Sequence, residues 1–219
     1  MAVNIDERIE QVYRAFSVAR APTLIEACPC CLNESNLCEL LKTPLRQLTP
    51  SQLYEYAFRV LYTAGSEADF RYFLPRILEI ACREPDRLLD LETVLRKLDL
   101  AGWMQWDASE IAALRSLFEA AFEQALVAND DGWAIDSWIC GLALAGFDIV
   151  PLLQKLEDPE HAKALISYYE RNSQGLQKEK LGNSFWNDDK AKAQPVIDWF
   201  RSVPVQTIIH THYGTAPGD

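Results

Sequence analysis

The residues best placed to do chemistry lie in one short stretch, ACPCCLNESNLCELL. Cys28 and Cys31 form a C-x-x-C pair there, and Cys38 follows seven residues later. Two thiolates at that spacing can share one tetrahedral ion, because the turn between them folds back. Cys30, Cys38 or the pair His210 and His212 near the C-terminus can add ligands, and zinc is the ion that this donor set suits. A C-x-x-C pair can also do redox chemistry, or it can be two reduced thiols in a folded loop. Redox pairs belong between a strand and a helix start in a βαβ unit, which the sequence does not offer. A second C-x-x-C or a regular H-x₃₋₅-H would strengthen the metal reading, and neither is present. His210-Thr211-His212 points both imidazoles to one face if the segment is extended, where they can share a metal. In a loose tail they are two polar side chains.

Other catalytic devices are not legible. The sequence has no G-x-G-x-x-G, G-x-x-x-x-G-K-[ST], H-E-x-x-H or G-x-S-x-G. A triad would have to draw its base from three histidines, His161, His210 and His212. His161 falls in the first turn of a predicted helix, where a solvated role suffices. The acidic clusters DERIE, EPDRLLDLE, LEDPE and NDDK fall largely at helix starts, where they complement the helix dipole. Trp103, Trp106, Trp133, Trp138, Trp186 and Trp199 read first as packing between helices, with an aromatic-lined partner groove as the alternative. Cys82 and Cys140 sit in apolar helical stretches and read as small buried hydrophobes.

Apolar residues recur at helical spacing along nearly the whole chain. Ile5, Ile9, Val12, Tyr13 and Phe16 form a first stripe, over about Ile5 to Ala19, with Asn4 as its cap. Pro22, Pro29 and the cysteines make 21–36 a loop. Thr49 caps and Pro50 starts a helix to about Ala64 that buries Leu53, Tyr56, Ala57, Val60 and Leu61. Ser66 and Asp69 form a box for the next, which carries Phe70, Phe73 and Leu74 and contains Pro75. Further helices follow EPDRLLDLETVLRKLDL, Asp107 to Ala128, Asp131 to Ala145, Asp148 to Leu156, Pro159 to Asn172 and Asp189 to Val203. No strand alternation of useful length appears before the end of the chain.

The expected fold is therefore all-α, with eight or nine helices. Short connections make neighbours antiparallel pairs, stacked as an irregular α-solenoid or a multi-helix bundle. A single helical domain is expected over 1–203, with an extended or partly disordered tail over 204–219. No apolar run approaches the roughly 20 residues that span a membrane, and the polar start MAVNIDERIEQ does not look like a signal peptide. A cytoplasmic protein with reduced thiols is expected. The formal net charge of −11 repels nucleic-acid phosphates and suits a basic protein partner.

The segment PLRQLTPSQLYEYAFRVLYTAGSEADFRYFLPRILEIA resembles a group of uncharacterised bacterial helical proteins. They carry a similar PLR-x-L, L-x-x-YA and DF-x-x-FLPR, with a cysteine pair upstream that Cys28 and Cys31 match. The later SFWNDDKAKAQPVIDWF is similar to their ends. The resemblance implies a bacterial, cytosolic helical protein and brings no catalytic residue with it. It singles out Arg46, Tyr56, Asp69, Phe70, Phe73, Leu74, Pro75 and Arg76 as structurally special. The leading expectation is a non-enzymatic interaction protein with an acidic, aromatic-containing surface. A zinc-binding protein with structural metal at Cys28 and Cys31 is the first alternative. An enzyme of unfamiliar class, with a site between helices, is the second.

Overall fold

A computed structural model describes residues 4–28, 32–85, 87–128 and 131–214. Among them lie eleven α-helices and no strand: α1 (Ile5–Ala15), α2 (Glu34–Lys42), α3 (Pro50–Arg59), α4 (Glu67–Arg83), α5 (Leu91–Leu100), α6 (Ala108–Val127), α7 (Trp133–Leu144), α8 (Val150–Leu156), α9 (Ala162–Leu176), α10 (Lys190–Phe200) and α11 (Val203–Tyr213). Among the described residues, no helix is long and apolar enough to cross a membrane.

Several helix starts follow from side chains visible in the sequence. Asn4 Oδ1 accepts from the Asp6 N–H, and Asn33 Oδ1 from the Asn36 N–H. Thr49 with Gln52, and Ser66 with Asp69, each close a capping box that satisfies two otherwise orphaned N–H groups.

Helix ends differ more from expectation. α1 stops at Ala15 and tightens into a 3₁₀ turn over Phe16–Val18. α3 stops at Arg59, five residues short of Ala64, for a reason that belongs to the site below. The helix expected over Asp189 to Val203 is α10, which ends at Phe200; a separate α11 follows, with Pro204 in its first turn, where its missing N–H costs nothing. The tail expected to be extended is thus helical as far as Tyr213. Val205 and Ile209, one turn apart, bury together, and that burial outweighs the β-branched preference for strand. With this helix the described residues form eleven, above the eight or nine expected.

The chain divides into two compact units, 1–121 and 122–219, the boundary falling inside α6. In the first, Ile9 and Val12 of α1, Leu53 and Tyr56 of α3, Phe70, Phe73 and Leu74 of α4, and Val94, Leu95 and Leu98 of α5 are buried. This core also holds charge. Glu110, 1% exposed, takes the Arg71 guanidinium at 2.5 Å. The Tyr13 hydroxyl and Arg76 both donate to Glu79 Oε2, each at 2.7 Å, and Arg76 Nε donates to the Leu48 carbonyl at 2.8 Å.

The second unit is built around α7, which is buried at every position from Ile135 to Leu144. A helix apolar on all sides has to be surrounded; α9 and α10 pack on this one. Gly132, at φ +80, brings the start of α7 so close to α9 that a Cβ there would lie 2.7 Å from the Ser167 carbonyl. Asp136, 1% exposed, lies 3.4 Å from Arg171 Nε. Asn172 donates to the Tyr168 carbonyl and accepts the Gly182 N–H, tying the loop after α9 to the helix.

Candidate functional site

α3 buries Leu53, Tyr56 and Ala57, and Val60 just beyond its end. Helical spacing puts Tyr54 and Phe58 on another face, one turn apart. That face is not covered: Tyr54 is 45% and Phe58 47% exposed, and Tyr62 in the following turn is 57% exposed. Three large aromatic side chains therefore stand in solvent on one stretch of nine residues.

A lysine shapes this stretch. Lys97 of α5 is 1% exposed. Its ammonium donates to the Phe58 carbonyl at 3.0 Å and the Val60 carbonyl at 2.9 Å, and lies 4.2 Å from the centre of the Tyr62 ring. The last carbonyls of a helix lack intrahelical donors and carry the negative end of its dipole. Lys97 answers both needs from a neighbouring helix. The chain then turns sharply, with Leu61 at φ +67 and its N–H bonded to the Ala64 carbonyl at 3.0 Å. This is why α3 ends at Arg59. Burial pulls the Lys97 pKa down to about 8.

Acid lies beside the aromatics. Glu55 pairs with Arg59 at 3.6 Å, and the Arg59 guanidinium lies 5.7 Å from the Phe58 ring centre. Between α2 and α3 is a cavity of about 240 Å³ whose lining includes Glu39, Glu55, Asn36, Ser51 and Gln52. Gln52 Nε2 donates to Glu39 Oε1 at 3.0 Å and holds that carboxylate at the wall. A mixed aromatic and acidic surface of this kind recognises shape and positive charge.

Of the cysteine and histidine candidates, Cys28 and Cys38 belong to the first unit and His210 and His212 to the second. Cys28 is half-buried; its N–H donates to the Thr63 carbonyl at 3.0 Å. Cys38 is exposed on α2. Cys31 and Cys30 lie outside the described residues. His210 and His212 belong to the second unit and to a helix, so their side chains leave α11 about 200° apart. The shared face expected of an extended H-x-H is therefore not formed. Among the described residues, no group of three or more His, Cys, Asp or Glu is placed to hold a metal ion. Cys140 is fully buried, as expected. Cys82 is half-buried overall, but burial of its thiol pushes the pKa up to about 12.

The residues singled out by the resemblance serve the first unit's structure, Arg46 at its surface and most of the others in its interior. Arg46 makes a two-pronged bond to Glu10, at 2.6 and 2.8 Å, and lies over the Tyr13 ring at 3.7 Å. Arg76 joins Leu48 to Glu79, as described. The Tyr56 ring meets that of Phe73 at 4.7 Å, and burial, with the Asp69 carboxylate nearby, raises its hydroxyl pKa. Asp69 closes the box on Ser66, and Pro75 is buried within α4. Tyr54, Phe58, Tyr62 and Lys97 were not singled out by sequence. The signal available was the placement of Tyr54 and Phe58 off the stripe that buries Leu53, Tyr56 and Ala57.

No family model, no curated protein and no solved structure matches the chain.

Proposed function

We propose that this chain is a non-enzymatic, helical protein-interaction protein. It offers the aromatic face of α3, with the carboxylates beside it, to a basic protein partner in the cytoplasm. The observation that carries this reading is the exposure of Tyr54, Phe58 and Tyr62 together on a backbone held by Lys97. Aromatic rings bring large contact area at small entropic cost, and they dominate the energetics of protein interfaces. Left in water they add nothing to the core, so a partner accounts for them better than stability does. Glu39 and Glu55, with the acid excess of the whole chain, favour a cationic partner and speed its arrival. Helices in antiparallel pairs, as an irregular solenoid or a bundle, would leave such a face open along one helix.

The test compares the wild-type chain with Phe58→Ser/Tyr62→Ser, both purified from the producing cells at moderate salt. The expected result is a stoichiometric basic protein that copurifies with the wild type. When remixed as purified components, it should bind the double variant at least about tenfold more weakly. Both chains should keep the same circular-dichroism spectrum, with only a small drop in melting temperature from the lost Tyr62 contact to Lys97. A wild-type chain that stays monomeric and partner-free would overturn the reading.

A further inference from the structure

A second apolar surface lies wholly within the second unit. α9 and α11 border a groove of about 630 Å³, with Ile166 buried in its floor and Ala162 and the half-buried Ile208 beside it. Ala162, Ile166 and Glu170 follow one another at four-residue spacing along α9, so this wall runs for about 12 Å, a little over two helical turns. Glu157 stands on the rim beside the start of α9, and Glu170 marks the far end of the wall.

The two rim carboxylates are each held by a hydrogen bond. Glu157 Oε1 accepts the indole N–H of Trp199 at 2.8 Å, and Glu170 Oε1 accepts the hydroxyl of Tyr213 at 2.7 Å. Both donors are neutral, so each carboxylate is aimed while its charge stays uncompensated by its partner. Glu79 and Glu110 in the first unit are instead matched by Arg76 and Arg71. A groove with an apolar floor and an oriented anion at either end has the complement of a short amphipathic helix. Lys163 and His212 also reach the rim. The basic residues of an occupant therefore belong at its ends, beside the carboxylates, and its middle stays uncharged.

We propose that this groove seats a basic amphipathic helical segment of a protein partner. Two apolar side chains one turn apart go down onto Ile166 and Ile208, and a lysine or arginine at each end meets Glu157 and Glu170. The assignment rests on the second unit alone and does not need the aromatic face of α3.

The probe is a fluorescein-labelled peptide of about five helical turns. It carries leucines at i and i+4 on one face and lysines toward both ends. Anisotropy with the full chain at near-physiological salt should show saturable one-to-one binding. Exchanging its lysines for glutamates, or its leucines for serines, should each weaken binding by at least about tenfold. Glu157→Gln/Glu170→Gln keeps both hydrogen-bond acceptors and removes both charges; it should lose a similar factor with an unchanged melting curve. Ile208→Asp should abolish binding.

The groove assignment falls if the lysine peptide binds the Gln pair and Ile208→Asp as well as it binds the wild type. It falls equally if the glutamate peptide binds as tightly, or if no peptide binds. Self-association in sedimentation that Ile208→Asp removes would give the groove to a second copy of this chain and overturn the proposal. Phe58→Ser/Tyr62→Ser should leave peptide binding untouched. If that variant removes it, the peptide sits on α3, and the groove assignment falls while the aromatic reading stands.

Discussion

On α3 of the first unit, aromatic rings stand out into water; between α9 and α11 of the second, isoleucines lie at the bottom of a groove. The rings lie off their unit's core, the groove floor includes the core residue Ile166, and the two places ask for different partners. The interiors differ in a parallel way. The first unit buries charge and answers it, with Lys97 on two carbonyls and Glu110 on Arg71. The second also buries a charge, Asp136 beside Arg171, and adds close backbone contact, with Gly132 against Ser167 and Gly182 bonded to Asn172. Polar devices can hold a helix end in a chosen place and so display a ridge. Close backbone approach locks α7 to α9, while α9 and α11 border the groove.

The largest effect expected from this contrast is at Gly132. Gly132→Ala adds a Cβ 2.7 Å from the Ser167 carbonyl at a left-handed φ, and should cost about 3 kcal/mol or more in thermal or urea unfolding. Gly102→Ala in the first unit has the same hand of φ with open space around it, and should cost about 1 kcal/mol. Equal losses at the two sites would break the contrast.

Next comes Lys97→Met, which preserves bulk but strands two carbonyls, at a cost of about 2 kcal/mol. The pH dependence has a definite sign. The folded pKa of about 8 lies below the ordinary 10.5, so between those values the unfolded chain binds the extra proton. The wild type should gain stability relative to Lys97→Met as pH rises through that window, and the difference should be flat below it. Urea titrations of both proteins from pH 7 to about 11 check this.

A smaller step separates two arginines. Arg76 and Glu79 are largely shielded, and Arg76→Ala should cost about 1–2 kcal/mol. Arg46 and Glu10 are each about half exposed, and Arg46→Ala should cost under about 1 kcal/mol despite the two-pronged geometry. The smallest change in stability, within about 0.5 kcal/mol, is expected for Tyr54→Ser and Phe58→Ser. A loss of 2 kcal/mol there would make those rings part of the core and remove the ridge from consideration.

Helix starts were legible because their chemistry is local. Thr49 with Gln52 and Ser66 with Asp69 need only three residues to declare a cap. Ends were less legible because distant residues set several of them. Nothing between Pro50 and Ala64 announces that Lys97, thirty-odd residues on, will take the carbonyls of Phe58 and Val60. The last segment misled for a related reason: Val205 and Ile209 favour strand locally, and only the core of the second unit makes them helical. His210 and His212 then lost the common face that an extended segment would give. At the candidate sites, aromatic content was legible, and exposure was signalled only by helical spacing, which sets Tyr54 and Phe58 off the stripe of Leu53, Tyr56 and Ala57. The groove needed α9 and α11 side by side, a juxtaposition no local pattern encodes.

One short piece of backbone links two features that sequence would treat separately. Tyr62 presents its ring to solvent, and the carbonyl of the very next residue, Thr63, receives the Cys28 N–H; Gly65 in turn donates to Glu26. Whatever grips Tyr62 therefore pulls on the strap from which the cysteine-bearing segment hangs. If the proposed partner docks on the aromatic face, the alkylation rate of Cys28 is expected to change in the wild type and to stay constant in Tyr62→Ser, which peptide mapping checks.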